Sequence, residues 1–113
     1  MAFDETLAED VRVLLAPEAG ETDVTEKRMF GGLAFLLGGN MAVVVRGQGG
    51  VMVRLNPEDH EALLSEPGTE PMLMRGREMR GWITLPPTTC ADPAVLEAWV
   101  TRAVAYTKTL PRK

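Results

Sequence analysis

Two glycine pairs, Gly31–Gly32 and Gly38–Gly39, enclose the apolar run "LAFLL", and the second pair leads through Asn40 into "MAVVVR". This pattern constrains the fold more than any other in the chain. Glycine and asparagine supply the positive φ angles of a tight hairpin. "GLAFLL" and "MAVVVR" are therefore expected to be adjacent antiparallel strands reversed at Gly38, Gly39 and Asn40. Gly31 and Gly32 are expected to reverse or bulge the chain between "TEKRMF" and "GLAFLL". A further turn, "GQGG", leads into "VMVRL", and strands joined by such short connections form an antiparallel meander.

Glycine-rich loops can also cradle phosphate. A dinucleotide fingerprint sets its glycines between a strand and a helix, so that the helix N-terminus meets the pyrophosphate. Here strands are predicted on both sides of the glycines, and no G-x-x-x-x-G-K-[S/T] run occurs. The glycines are read as structural, and no cofactor is expected.

Helices frame the strands. Asp4 is a good N-cap, and Leu7, Val11, Leu14 and Leu15 recur at helical spacing, which predicts a helix from Asp4 to Ala16 that stops before Pro17. "PEAGETDV" reads as a polar loop. Asn56 and Pro57 open a short helix, "NPEDHEALLSE", with Ala62, Leu63 and the more distant Leu55 facing inward. "MLMRGREMRGWITL" reads as a second hairpin bent at Gly76, with Gly81 opening the last strand. Asp92 and Pro93 start a final helix whose apolar stripe is Leu96, Trp99, Val100, Ala103 and Val104. Strands in runs joined by tight turns imply an α+β fold. The expectation is a single domain over residues 1–113, in two layers: an antiparallel sheet of about six strands (meander plus hairpin) and three flanking helices, in the order α-β-β-β-β-α-β-β-α.

The central strands carry apolar residues on both faces. By strict alternation, Met41, Val43 and Val45 oppose Ala42, Val44 and Arg46. An antiparallel sheet with one wet face alternates apolar with polar residues. The second face therefore needs a cover, either the C-terminal helix and loops or a protein partner such as a second copy of the chain.

The chain carries a net charge of −4, with eight acids and one base in residues 1–26. This acidity argues against direct nucleic-acid binding, which requires a basic surface. No signal peptide is evident, and the longest uncharged stretch has 17 residues interrupted by four glycines and an asparagine, too short for a membrane span. With a single cysteine, Cys90, no intrachain disulfide can form. A cytoplasmic location is expected.

Catalytic and metal signatures are weak. His60 and Cys90 stand alone without metal-ligand spacing. His60 lies among Glu58, Asp59 and Glu61 and is expected to be solvated; Cys90 is expected to be an ordinary loop thiol. No catalytic residue and no metal site are assigned. The basic residues Lys27, Arg28, Arg46, Arg54, Arg75, Arg77 and Arg80 all lie on or beside predicted strands. They are the candidates for contact with a partner or an anion.

"EKRMFGGLAFLLGGNMAVVV", "MRGREMRGWITL" and "LEAWVTRAVAYTKTLP" together resemble the TfoX N-terminal domain family, also called TfoX/Sxy. The resemblance runs over nearly the whole chain and implies an antiparallel sheet flanked by helices. It also implies a role in bacterial regulation of natural competence, as a transcriptional co-activator. It carries no catalytic motif. The expected function is a non-enzymatic regulatory or protein-interaction module, in stand-alone form. The alternative is a small anion-binding protein or enzyme using the arginine cluster.

Overall fold

The computed structural model describes residues 3–20, 22–29 and 31–112. Asp4 caps α1 (Glu5–Leu15): its carboxylate accepts from the Thr6 and Leu7 amides at 2.9 and 3.1 Å. A 3-10 turn over Ala16–Gly20 follows, where the sequence reads as loop. The meander is β1 (Val24–Met29), β2 (Gly32–Leu37), β3 (Asn40–Val45) and β4 (Val51–Arg54). Phe30, the last residue of the first predicted strand, lies outside the described residues. A 3-10 turn at Pro57–Asp59, capped by Asn56, enters α2 (His60–Leu64). The second hairpin pairs β5 (Glu70–Met74) with β6 (Arg77–Leu85), bent at Arg75 and Gly76. The chain closes with α3 (Pro87–Cys90) and α4 (Pro93–Thr107), the latter capped by Asp92.

The strands form one six-stranded antiparallel sheet in the order β1-β2-β3-β4-β6-β5. The expected α+β class and sheet stand. The expected three helices are four among the described residues, because "PTTC" winds into a turn of helix: Pro87 occupies a first position where its missing N–H costs nothing. The predicted stripe of α4 is buried as expected and is extended by Thr107.

The helices cover one face of the sheet. α4 packs across β3 and β4, α1 lies beside α4, and α2 lies against β6. Between the layers Val11 and Leu15 of α1 and Trp99 and Val100 of α4 meet Phe35, Val43, Val53 and Ile83. The C-terminal helix therefore does not cover the second face, which is one of the two covers the sequence suggests.

Strict alternation fails on β3. Phe35 pairs with Val43 but Leu36 pairs with Met41, so Ala42 is an extra residue in a bulge. Ala42 and Val43 both join the core between the layers, and Met41 passes to the outer face with Val44.

A second departure concerns Gly81. It does not open β6 but lies within it, buried, at φ +89°. Pro71 pairs with Ile83 and Leu73 with Glu78, so the strand is irregular around Gly81. The Gly81 amide donates to His60 Nδ1 at 3.1 Å, and its carbonyl accepts from the Leu55 amide at 2.6 Å. His60 is thus not the solvated histidine its acidic neighbours suggest; it is 2% exposed. It takes the inward position of α2, while Ala62 is exposed.

The first glycine pair separates two kinds of constraint. Gly31 has φ +73° with open space where a Cβ would stand. Gly32 has ordinary backbone angles, but a Cβ there would overlap the Val45 carbonyl oxygen across the β2–β3 ladder. Gly31→Ala should cost about 1–2 kcal/mol of backbone strain, and Gly32→Ala about 3 kcal/mol through overpacking. Urea unfolding of both variants checks the order; equal losses, or a larger loss at Gly31, would refute the close-approach reading of Gly32.

Candidate functional site

Antiparallel partners share a face, so the register lays out the outer surface row by row. One row runs Lys27, Ala34, Val44, Met52, Thr84, Glu70 from β1 to β5. Leu36 with Met41, and Arg54 with Trp82, stand on the same side. Ala34, Val44 and Met52 form a second apolar cluster, against which Met29, Leu36, Met41, Met72 and Trp82 are partly buried. The face is therefore closed in part by its own long side chains, and no helix among the described residues lies over it. Leu73, Met74 and Met79 of the second hairpin remain exposed, at 56%, 41% and 37%. Methionine is flexible and polarizable, and it recurs on surfaces that adapt to a partner.

A cavity of about 260 Å³ lies between this face and β5, lined by Val44, Met52, Met72 and Leu73, with Arg46 and Gln48 among its residues. The β5–β6 register is irregular between Pro71 and Leu73, where such a break bends a strand, and Met72, Leu73 and Met74 of this segment line the cavity.

The seven basic candidates divide by face. Lys27, Arg46 and Arg54 belong to the outer face by register and alternation. Arg54 stacks over Trp82 at 5.7 Å and donates to the Met41 carbonyl at 3.5 Å. Arg28 pairs with Leu33, on the helix side, and stacks over Phe3 at 5.4 Å. Arg75 sits at the hairpin tip at φ +53°, with Arg77 beside it. Arg80 turns to α2, where it pairs with Glu61 and donates to the Pro57 carbonyl at 2.8 Å. That pairing holds the Glu61 carboxyl below its ordinary range. The arginines thus form no single cluster.

Charge pairing separates the same groups. Arg12 grips Glu26 with two bonds of 2.6 and 2.9 Å, which lowers the Glu26 carboxyl from its ordinary range. Arg102 pairs with Glu66, Lys108 with Glu18, and Arg112 with Asp23. Among the described residues, Lys27, Arg28, Arg46, Arg54, Arg75 and Arg77 have no carboxylate partner. Sequence reasoning picked out these residues but not their separation, because pairing depends on contacts far apart in the chain.

His60 accepts from Gly81 on Nδ1, so its neutral ring presents Nε2–H to Glu78 Oε1 at 3.2 Å. Cys90 is buried, not a loop thiol, and its Sγ lies 3.4 Å from the Leu85 carbonyl. It borders a cleft of about 350 Å³ with Asp10, Val13 and Leu96. Among the described residues no group of three or more His, Cys, Asp and Glu is placed to hold a metal ion. No helix among them is long and apolar enough to cross a membrane.

A family model described as the TfoX N-terminal domain matches residues 14–106 of the chain. No curated protein matches, and no solved structure matches.

Burial pushes the Cys90 thiol above its ordinary value, since the thiolate is the form that loses hydration. Iodoacetamide should therefore alkylate the native protein more slowly than the urea-unfolded chain at pH 7.5, with the native rate rising only above the usual thiol range of about 8.5. Mass spectrometry across pH reads this directly. Native alkylation as fast as that of the unfolded chain would contradict it.

Proposed function

The chain belongs to the TfoX N-terminal domain family, and we propose that it is a non-enzymatic regulatory module of the cytoplasm that binds a protein partner through the outer face of its sheet. The observation that carries this reading is the composition of that face. Exposed Leu73 and Met74 share a cavity with Val44 and Met52 of the apolar cluster, Met79 is exposed on the same hairpin, and among the described residues the cations Lys27, Arg46 and Arg54 have no carboxylate partners. Apolar anchors with a charged rim are the usual anatomy of a protein interface. A phosphate backbone would favour clustered cations over interleaved methionines. Self-association through the same face is one form of this reading. The role implied by the family, co-activation in competence regulation, makes the partner a transcriptional regulator.

The non-enzymatic part is supported by the fixed roles of the two best nucleophile and base candidates. Cys90 is buried with a raised thiol pKa, and both nitrogens of His60 are occupied by Gly81 and Glu78.

The double variant Leu73→Glu, Met74→Glu replaces exposed apolar contacts and should change stability by less than about 1 kcal/mol. It should nonetheless abolish the retention of partners that the unmodified chain captures from its own host's lysate. Light scattering on both proteins reports whether a dimer is lost instead. A variant that keeps both its partners and its oligomeric state would remove the outer face from the interface.

A further inference from the structure

We propose that the cavity between the outer face and β5 binds a small amphipathic carboxylate, with its apolar chain among Val44, Met52 and Met72 and its carboxylate on Arg46. The cavity holds about 260 Å³. A cavity of about 150 Å³ accommodates benzene, so this space suits a ligand of roughly ten non-hydrogen atoms. Its walls are apolar and, through the methionines, adaptable.

The charge of the ligand follows from Arg46. The residue is half-buried, and its guanidinium has no hydrogen-bond or carboxylate partner among the described residues. A guanidinium beside apolar walls gains most from an anion that can accept two parallel bonds. Gln48, from the turn between β3 and β4, adds an amide donor at the same cavity. Across the sheet, the row through Val44 and Met52 carries its carboxylate, Glu70, at the far end on β5. Phosphate would find one guanidinium and several apolar side chains, whereas a fatty-acid-like carboxylate matches both. The site lies within the proposed docking face but does not depend on the partner reading.

The probes are octanoate and its neutral counterpart octanol, titrated into the full chain labelled with carbon-13 at the methionine methyl groups. Octanoate should shift the Met52, Met72 and Met74 signals saturably and leave Met41, at the start of β3, in place. Octanol should bind about tenfold more weakly, the loss of one charge-assisted pair. Arg46→Gln should weaken octanoate by a similar factor, and Arg46→Lys, which keeps the charge but not the paired bonds, should bind between the two. Thermal melting verifies that each variant is folded, and the octanoate–octanol contrast on the unmodified chain needs no variant. The proposal falls if no saturable shift appears, if octanol binds equally well, or if all methionines shift together. It falls likewise if octanoate fails while partner capture depends on Arg46, since the cavity would then receive a carboxylate of the partner protein. Octanoate binding with no partner captured would uphold the site and count against the docking reading alone.

Discussion

The geometry of the outer face depends on a single buried junction at Gly81. Its amide is held by His60, its carbonyl by the Leu55 amide, and its φ of +89° lies where other residues are strained. A Cβ at this position would stand 2.8 Å from the Leu55 carbonyl oxygen. The junction binds α2, the end of β4 and the middle of β6 at one point. It lies where the β5–β6 register is irregular, and Met72, opposite that stretch, packs against the cluster of Ala34, Val44 and Met52. A buried polar side chain needs partners, and His60 has them on both nitrogens. Arg80 reinforces the junction from the solvent side through Glu61 and the Pro57 carbonyl.

The bulge at Ala42 does the complementary work on β3. By shifting the register between Phe35 and Leu36 it moves Met41 outward and adds Ala42 to the packed face. Bulges also increase local twist. The edges of the sheet are guarded differently. β1, with Glu26, Lys27 and Arg28 in its centre, presents charge rather than an apolar ribbon. The other edge, β5, carries Pro71, which has no amide to donate to a further strand. The apolar surface therefore lies on the face of the sheet and not along its rims.

Locally encoded features were legible in the sequence. The caps at Asp4, Asn56 and Asp92, the Gly38–Gly39 reversal and the stripe of α4 all follow from residues within one or two turns of each other. The misread features depend on distant partners. His60 appears solvated beside Glu58, Asp59 and Glu61, yet its ring is claimed by an amide 21 residues away. Gly81 appears to start a strand because its reason for being glycine lies in the Leu55 carbonyl. Met41 appears to share a face with Val43 because alternation does not announce a bulge. The basic candidates were legible as residues, but their division between the faces, and between paired and unpaired, was not.

That division gives the molecule an electrostatic polarity. The exposed acids Glu5, Glu9 and Asp10 lie on α1, on the helix side. Lys27, Arg46 and Arg54 lie on the opposite side of the sheet, where the register places few carboxylates. A chain with a net charge of −4 thus carries a locally positive face. Such an arrangement orients a diffusing acidic partner before contact. It also opposes stacking of two copies face to face, because their unpaired cations would meet, while permitting contact between the outer face of one copy and α1 of another. Contact of that second kind is heterologous: it gives a ring where the rotation closes and an open row of copies where it does not. The same charges that favour a foreign acidic partner therefore disfavour a symmetric dimer through this face.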